Sequence, residues 1–182
     1  MPTRILLLTG NPGVGKTTVL TKTVDALKAE GYTVGGMISR EVREGGTRVG
    51  FEILDINSGR CGWLAHVNQK SGPQVGRYRV NIEDLNGIGA QAILAAVENC
   101  DVIAVDEIGP MELFSEKFKE ATRKALESGK LIMVVVHWKA QDRLIVEAQK
   151  RVDAELITVT YENREKLHEA TIDKALKILK QV

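Results

Sequence analysis

One motif near the start of the chain constrains its fold most strongly. Residues 10–17 read Gly-Asn-Pro-Gly-Val-Gly-Lys-Thr, a complete G-x-x-x-x-G-K-T pattern. An apolar run over residues 4–9 predicts a buried strand before the motif, and residues 15–30 have helical spacing after it. Glycines let backbone N–H groups close around phosphate oxygens, to which the following helix presents its positive N-terminal end. The motif therefore predicts a phosphate-binding loop between a strand and a helix.

The side chains of this loop have separate expected roles. Lys16 is expected to reach the β- and γ-phosphates of a nucleotide as a point charge. Thr17 is expected to bind Mg²⁺ through its hydroxyl, and Thr18 to lie near the α-phosphate. The predicted nucleotide-binding residues of the loop are Gly10, Asn11, Pro12, Gly13, Val14, Gly15, Lys16, Thr17 and Thr18.

A second motif supplies two acidic groups. Residues 102–105 form an apolar run that predicts a strand, and Asp106 and Glu107 follow it directly. Because open α/β sheets bind ligands at the carboxyl ends of their strands, both acids are expected beside the phosphates. Asp106 fits the carboxylate on the Mg²⁺ side, acting through a coordinated water, and Glu107 is the candidate to polarise an attacking water. An adjacent Asp-Glu pair favours the additional-strand, catalytic-glutamate branch of phosphate-loop proteins, which mostly hydrolyse nucleotides.

Short aliphatic runs alternate with stretches of helical spacing along the chain, which predicts an α/β fold. We expect one domain over residues 1–182, with a three-layer P-loop NTPase fold of the RecA-like or ASCE-like type and a mainly parallel sheet. An antiparallel hairpin of residues 48–56 and 61–66 is expected as an addition to this sheet. The Gly/Ser/Gln-rich residues 67–80 are predicted to be a loop that is functional or mobile. The other predicted strands are 32–38, 101–105, 131–136 and 155–159, and the other predicted helices are 84–99, 115–128, 139–150 and 161–179.

The composition argues against nucleic acid and anionic membranes as partners. The 182 residues carry 25 Lys and Arg against 24 Asp and Glu, so no overall charge attracts nucleic acid or an anionic membrane. The aromatic residues (2 Trp, 3 Tyr and 3 Phe) are too few for a surface of base-stacking rings.

Cys61 and Cys100 are expected to be reduced thiols in or near the core. With no apolar run long enough to span a bilayer and no heptad pattern, we expect a cytoplasmic monomer.

Basic side chains outside the loop are candidates to neutralise charge on the transferred phosphoryl group. They flank the Gly45-Gly46 turn or lie within residues 67–80, and are Arg40, Arg43, Arg48, Arg77 and Arg79. Solvated loop arginines would give the same pattern, so the sequence does not choose between the two roles. The histidines, which are His66, His137 and His168, lack the spacing of zinc ligands, so no zinc site is expected.

Taken together, these motifs resemble those of the thermostable nucleoside-triphosphatase family. The resemblance runs over residues 4–170, nearly the whole chain. Its most specific parts are Asp-Glu-Ile-Gly-x-Met-Glu-Leu-Phe at residues 106–114 and Glu-Val-Arg at residues 41–43, whereas the loop motif is generic. Further matches are Gly45, Arg-Val-Gly-Phe at residues 48–51, Val-Gly-Arg-Tyr at residues 75–78 and Glu-Asn-Arg at residues 162–164.

The resemblance implies slow, Mg²⁺-dependent hydrolysis of nucleoside triphosphates (ATP, GTP, CTP, UTP and TTP) to diphosphate and phosphate, with little base preference. It implies that Glu107 corresponds, residue for residue, to the catalytic glutamate of the family. It assigns a second nucleotide-binding stretch to Val102, Ile103, Ala104, Val105, Asp106, Glu107, Ile108 and Gly109. Candidate contacts to phosphate or base, without a choice among them, are Arg43, Arg48, Arg77, Tyr78, Asn163 and Arg164.

The chain departs from the family pattern at two places. Pro110 stands where relatives have Lys, and His137-Trp138 stands where they have a Thr-Ile-Pro segment. The group that senses the γ-phosphate near residue 137 is therefore left open. His137 is a candidate to hydrogen-bond phosphate, but packing of Trp138 against the following helix is the favoured interpretation.

Two other functions are compatible with the sequence. A phosphotransferase for a nucleotide or other small molecule would use the same loop, with residues 67–80 as a lid over the acceptor. A nucleotide-dependent switch or motor on nucleic acid is a third reading, but the balanced charge and the few aromatic residues count against it. We predict hydrolysis, in which Lys16, Mg²⁺ and the loop amides spread the γ-phosphoryl charge while Glu107 orients water.

Overall fold

The first strand is buried on both of its faces. Ile5 and Leu7 pack into one apolar cluster, and Leu6 and Leu8 pack into a second cluster on the opposite side of the sheet. Since successive side chains of a strand point to opposite faces, a continuous apolar run requires a sheet that is covered twice. The structure, a computed structural model, describes residues 2–181.

Nine strands and six α-helices occur within residues 2–181. The strands are β1 (Ile5–Thr9), β2 (Val34–Glu44), β3 (Thr47–Asp55), β4 (Cys61–His66), β5 (Gln74–Val75), β6 (Tyr78–Val80), β7 (Val102–Ile108), β8 (Leu131–Val136) and β9 (Ala154–Thr158). The α-helices are α1 (Lys16–Ala29), α2 (Ile82–Asp84), α3 (Gln91–Asn99), α4 (Glu116–Glu127), α5 (Arg143–Gln149) and α6 (Arg164–Leu179). A π-helix (Leu85–Ala90) joins α2 to α3, and a 3-10 helix (Glu112–Phe114) precedes α4.

All these strands belong to one sheet, in the order β5-β6-β4-β3-β2-β7-β8-β1-β9. The pairs β2–β7, β7–β8, β8–β1 and β1–β9 are parallel. Strand β8 therefore lies between β1, which leads into the glycine-rich loop, and β7, which ends in the acidic pair.

Helices cover the two faces of the sheet. Helices α1 and α6 pack together on one face, and α3, α4 and α5 pack on the other. The first layer contributes Leu20 and Ala175 to one cluster, and the second contributes Phe118 and Ile93 to the other. The predicted α/β class and its helix–sheet–helix layers are confirmed.

The antiparallel part of the sheet is larger than predicted. Strand β2 does not stop at residue 38 but continues to Glu44, and the pairs β2–β3, β3–β4, β4–β6 and β6–β5 are all antiparallel. Gly45 and Gly46 close the β2–β3 hairpin with positive φ values of 54° and 79°, as a two-residue turn between twisted strands requires. Residues 67–80, predicted as a loop, contain the β5–β6 hairpin. The prediction of a mainly parallel sheet with one added hairpin is therefore only partly right.

Three predicted helices have different boundaries. The helix predicted over 84–99 is interrupted by the π-helix, where Gly89 lies so close to β2 that a Cβ would stand 2.8 Å from the Met37 sulfur. Helix α5 begins at residue 143 because the Asp142 side chain accepts a hydrogen bond from the Leu144 N–H at 2.8 Å. Helix α6 begins at Arg164 rather than at residue 161.

The two cysteines differ in exposure. Cys100 is buried as expected, but Cys61 is exposed at the start of β4, so the expectation of a core position is wrong for Cys61. Among the helices of residues 2–181, none has both the length and the apolar character needed to cross a membrane.

Candidate functional site

The glycine-rich loop connects β1 to α1 at the carboxyl end of the parallel strands. Gly10 has a φ of +150°, and a Cβ there would stand 2.4 Å from the Val159 carbonyl oxygen. Gly15 adopts a left-handed conformation with a φ of 108° at the N-cap of α1. A side chain at either position would strain the turn, so the sequence requires glycine. The loop thereby places its backbone N–H groups at the positive N-terminal end of α1.

Lys16 lies across this loop. Its Nζ donates hydrogen bonds to the carbonyl oxygens of Gly10 at 2.7 Å and Asn11 at 3.0 Å, and the residue is 8% exposed. Burial lowers the pKa of Lys16, while the carboxylates of Glu107 and Asp106 act in the opposite direction. The ammonium group is thus held between the loop and the acidic pair.

Asp106 is almost fully enclosed at the end of β7. Its Oδ2 atom has no hydrogen-bond partner, although the residue is only 2% exposed. Burial raises the pKa of Asp106 to about 7, with a further increase from Glu107, and the Thr17 hydroxyl and Lys16 act against this shift. A buried carboxylate oxygen without a partner beside a threonine hydroxyl is a donor set that suits a hard cation such as Mg²⁺.

Glu107 occupies an irregularity in the sheet. Asp106 pairs with Val135 and Ile108 pairs with Val136, so the β7–β8 register shifts at Glu107. The Asp106–Glu107 peptide bond is cis. A register shift of this kind redirects a side chain out of the regular alternation of a strand. Burial raises the pKa of Glu107, and the nearby charges of His137 and Lys16 oppose that shift.

A cleft of about 670 Å³ joins the loop to the acidic pair and to the antiparallel half of the sheet. It is lined by Pro12, Gly13, Gly15, Lys16, Thr17, Thr18, Ser39, Arg40, Glu41, Arg48, Phe51, Asp106, Glu107 and His137. The predicted residues that do not line it include Val14 and, in β7, Val102, Ile103, Ala104, Val105 and Ile108, which are buried in the core. Of the second predicted stretch, only Asp106 and Glu107 therefore line the cleft.

Of the predicted arginines, Arg40 and Arg48 line this cleft. Arg48 makes several contacts there. Its Nε donates to the Tyr78 hydroxyl at 2.8 Å, its Nη1 donates to Glu41 at 2.8 Å, and its guanidinium lies 5.0 Å from the centre of the Phe51 ring. The Arg48 hydrogen bond lowers the pKa of Tyr78. These contacts fix a positive charge opposite the loop.

The other predicted contacts support this arrangement from outside the cleft. Arg43 bonds Glu41 and the Gly46 carbonyl oxygen, and Arg77 bonds the Arg48 carbonyl oxygen. Arg79 donates to the Gly72 carbonyl oxygen at 3.0 Å. None of these three arginines lines the cleft.

A second cavity of about 260 Å³ lies between α1 and α6 and touches the loop. It shares Gly15 and Thr18 with the cleft, and its other lining residues are Val19, Lys22, Arg164, Glu165 and His168. Arg164 thus lies beside the loop, and its contact to phosphate or base stays a prediction. Asn163 instead supports the preceding turn, since its side chain accepts from the Thr160 N–H at 2.8 Å and donates to the Thr158 carbonyl oxygen at 2.9 Å.

The segment after β8 corrects one prediction. His137 lines the cleft beside Glu107, but Trp138 is 44% exposed and lies under the Lys139 ammonium at 4.4 Å. The favoured packing of Trp138 against the following helix is therefore wrong.

Glu112 is a site residue that the sequence analysis missed. It is 3% exposed and lines a cavity together with Glu107 and His137. Burial raises the pKa of Glu112 well above its usual range, and the charges of Glu107 and Asp106 add to the effect. Its only sequence signal was its place in the 106–114 motif, which gives no indication of burial.

A glycine-rich loop at a helix N-terminus, facing an Asp-Glu pair across one intervening strand, defines a P-loop nucleoside-triphosphate-binding protein. The family model described as NTPase matches residues 5–172. Nucleoside-triphosphatase THEP1 of Thermofilum pendens is 47% identical over 171 residues, covering 92% of each chain. THEP1 of Methanopyrus kandleri is 42% identical over 177 residues, covering 97% of each chain. The chain belongs to the THEP1 family of nucleoside-triphosphatases.

Solved structures agree with this assignment. The crystal structure of THEP1 from Aquifex aeolicus superposes with a TM-score of 0.82 at 30% identity, covering 93% of this chain and 97% of that one. The solution structure of a human cancer-related nucleoside triphosphatase gives a TM-score of 0.79 at 34% identity, covering 94% and 96%. The resemblance stated from the motifs and the prediction of a nucleoside-triphosphatase are confirmed.

Proposed function

We propose that the chain hydrolyses nucleoside triphosphates to diphosphate and phosphate in a Mg²⁺-dependent reaction with little base preference. The observation that carries this proposal is the position of Glu107. It leaves the regular strand and lines the same cleft as Lys16 and the loop. A buried carboxylate facing a phosphate site is placed to act on a water molecule rather than to bind the phosphate itself.

The loop and Lys16 would bind the triphosphate. Backbone N–H groups at the start of α1 and the Lys16 ammonium are the positive groups nearest the predicted phosphate positions. Phosphate oxygens would replace the carbonyl oxygens of Gly10 and Asn11 as partners of Lys16. The Arg48 guanidinium on the opposite side of the cleft adds charge that stabilises the phosphoryl group during transfer.

Thr17 and Asp106 are the residues that would hold Mg²⁺. The unpartnered Oδ2 of Asp106 and the neighbouring Thr17 hydroxyl fit a cation with oxygen ligands. When bound, Mg²⁺ supplies neutralising charge for the β- and γ-phosphates.

Glu107 would take the proton in the chemical step. The water oxygen forms a bond to the γ-phosphorus, the bond from that phosphorus to the bridging oxygen breaks, and a water proton passes to the Glu107 carboxylate. Burial raises the pKa of Glu107 towards the working pH, which makes the carboxylate a better base than an exposed glutamate.

The cavity between α1 and α6 is the proposed place for the base. It continues from the phosphate cleft through Gly15 and Thr18, and the one aromatic ring among its lining residues is the His168 imidazole. Its charged lining side chains, Lys22, Arg164 and Glu165, are long and flexible. Such side chains adapt to different bases, so weak base discrimination is the expected result.

The direct test is phosphate release from ATP, GTP, CTP, UTP and TTP, with Mg²⁺ and with excess EDTA. We expect kcat/KM values for the five substrates to agree within about tenfold, because the charged side chains that line the proposed base cavity can adapt to different bases. EDTA should abolish turnover. Strong preference for one base, or full activity in EDTA, would contradict the proposal.

One observation favours phosphotransfer as a second candidate. A cavity of about 220 Å³ adjoins Glu107 and is walled by the apolar side chains of Phe51, Leu64, Val75 and Met111. It is larger than a single attacking water needs. Val75 comes from the 67–80 segment, the predicted acceptor lid. Incubation with ATP and small alcohols or nucleoside monophosphates, followed by ³¹P NMR, separates the candidates. One phosphate per diphosphate means hydrolysis. A phosphorylated acceptor, which is an ester for an alcohol and a nucleoside diphosphate for a monophosphate, means transfer.

A further inference from the structure

The Arg48 side chain is held from several sides where it lines the phosphate cleft. It is 39% exposed, and an arginine side chain with that much freedom has many rotamers to choose from. Its Nε donates to the Tyr78 hydroxyl and its Nη1 donates to Glu41, both at 2.8 Å, and the guanidinium lies 5.0 Å from the centre of the Phe51 ring. Nη2 is the guanidinium nitrogen that has no hydrogen-bond partner among residues 2–181. The contacts therefore fix the group and leave one of its donors available.

Tyr78 reaches Arg48 from outside the cleft. It is one of the predicted contacts to phosphate or base, but it is 6% exposed and does not line the cleft. Tyr78 belongs to β6 and Arg48 to β3, and these strands are not neighbours in the sheet. The hydroxyl of Tyr78 is thus available to the arginine and not to a nucleotide.

The Tyr78 hydroxyl is itself oriented by its surroundings. It donates to the Arg48 carbonyl oxygen at 3.4 Å, and it accepts a hydrogen bond from Arg77 Nε at 3.3 Å in addition to the one from Arg48 Nε. The Tyr78 ring packs edge-on against Phe51, with 5.3 Å between the ring centres and 69° between the ring planes. Since the proton of the hydroxyl and the plane of the ring are both set, a lone pair of the oxygen is directed at Arg48 Nε.

Packing alone does not account for a hydroxyl group at position 78. A phenylalanine ring would fill the same space and keep the contact with Phe51, and it would leave the bond to Arg48 Nε unmade. An arginine stabilises the charge of phosphoryl transfer best when its guanidinium is already in place before that charge develops. The hydroxyl is therefore suited to keeping Arg48 in one position.

We propose that Tyr78 is a positioning residue that holds the Arg48 guanidinium in the cleft for the transferred phosphoryl group. This inference rests on the proposed function, because it requires Arg48 to act during hydrolysis. Tyr78 touches neither the nucleotide nor the attacking water, so its effect passes entirely through Arg48. The segment of residues 67–80 thereby takes part in hydrolysis.

A double-mutant cycle tests the proposal with Tyr78→Phe, Arg48→Ala and the variant that carries both changes. Single-turnover release of radiolabelled phosphate from Mg-ATP gives the hydrolysis rate even in slow variants. Calorimetric titration with the Mg²⁺ complex of a non-hydrolysable ATP analogue gives Kd, and thermal unfolding verifies that each variant is folded. Tyr32→Phe is the matched control, because Tyr32 precedes β2 at the end of the strand that is remote from the cleft.

We expect Tyr78→Phe to lower the hydrolysis rate about tenfold, the effect of one hydrogen bond, with Kd at the parent value. In the Arg48→Ala background the same change should cost nothing further, because no guanidinium is left to position. Tyr32→Phe should behave as the parent. The NMR signal of the Arg48 Nε–H, assigned by its loss in Arg48→Ala, should exchange slowly with water in the parent and faster in Tyr78→Phe.

Several results would overturn the proposal. A parent-like rate in Tyr78→Phe would show that Arg48 does not need the hydroxyl, and an equal loss in both backgrounds would show that Tyr78 acts by another route. A rise in Kd that accounts for the whole loss would return Tyr78 to nucleotide binding. If Tyr78→Phe does not fold, exchange of the Arg48 Nε–H in the parent decides: fast exchange overturns the proposal and slow exchange supports it.

Failure of this inference is distinct from failure of the proposed function. If Arg48→Ala hydrolyses ATP at the parent rate, the positioning role of Tyr78 falls while hydrolysis stands. The proposed function itself fails if the parent releases no phosphate, which the same assay shows separately.

Discussion

The Lys16 ammonium donates a buried hydrogen bond of 2.7 Å to the Gly10 carbonyl oxygen, so the loop is bonded to its own lysine before any phosphate binds. A bond to a charged phosphate is worth about 1.5–3 kcal/mol. Lys16→Ala should therefore raise the Kd for Mg-ATP roughly 10- to 100-fold. Calorimetric titration measures this change, and the exposed Lys117→Ala is the control. A parent-like Kd in Lys16→Ala would contradict phosphate binding by this side chain.

Titration of Asp106 should make stability depend on pH in the metal-free protein. The pKa of Asp106 is about 7 in the fold against 3.8 for the free side chain, so between these values the folded state keeps a proton that the unfolded state has lost. Stability therefore falls as pH rises through this window. The penalty reaches about 4 kcal/mol above pH 7, since one pKa unit is worth about 1.4 kcal/mol.

Asp106→Asn isolates this effect because asparagine does not titrate. Denaturant unfolding in EDTA, from pH 4.5 to 8, should show the variant gaining stability over the parent up to about pH 7 and keeping a constant advantage above it. Glu107 and Glu112 are present in both proteins, but the Asp106 charge raises the pKa of Glu112, so the measured difference includes this coupling. A stability difference that does not change with pH would contradict the burial of an uncompensated Asp106 carboxylate.

Substitutions of Arg48 and Arg43 should have different effects on the turnover number kcat. Arg48 lines the cleft, whereas Arg43 bonds Glu41 and Gly46 outside it. Arg48→Ala should lower kcat by about 10³-fold, the lower end of the range for an arginine that stabilises phosphoryl transfer. Arg43→Ala should have a small effect. Equal losses in the two variants would refute the assignment.

The Arg164 side chain should contribute to binding of the nucleoside part of the substrate and not to binding of the phosphates. It lines the cavity between α1 and α6, where its guanidinium can stack on a base. Arg164→Ala should raise KM for ATP and UTP roughly fivefold, as expected for a stacking contact of about 1 kcal/mol. Hydrolysis of inorganic tripolyphosphate should be unchanged, and Lys166→Ala serves as control. An equal rise in KM for tripolyphosphate would place Arg164 at the phosphates instead.

The parts of the site that could be predicted are those set by local sequence. The loop at residues 10–17 and the acids Asp106 and Glu107 were found because glycines, a lysine and a strand end have fixed spacing along the chain. The burial of both faces of β1 likewise follows from an uninterrupted apolar run.

The parts that were missed depend on contacts between distant segments. The sequence does not show that β2 continues to Glu44, because its polar second half is stabilised by pairing with β3. The burial of Glu112 likewise depends on how its turn folds against β7. Cys61 and Trp138 have apolar character but lie at positions that the rest of the fold leaves uncovered.

The most direct test of hydrolysis by Glu107 is the turnover of Glu107→Gln under saturating Mg-ATP, with Kd measured on the same sample. Glutamine keeps the shape of the side chain but cannot take a proton from water. Loss of a general base lowers kcat by about 10²–10⁴-fold, and we expect this loss with an unchanged Kd. A folded Glu107→Gln variant that binds Mg-ATP and releases phosphate as fast as the parent would contradict the assigned role.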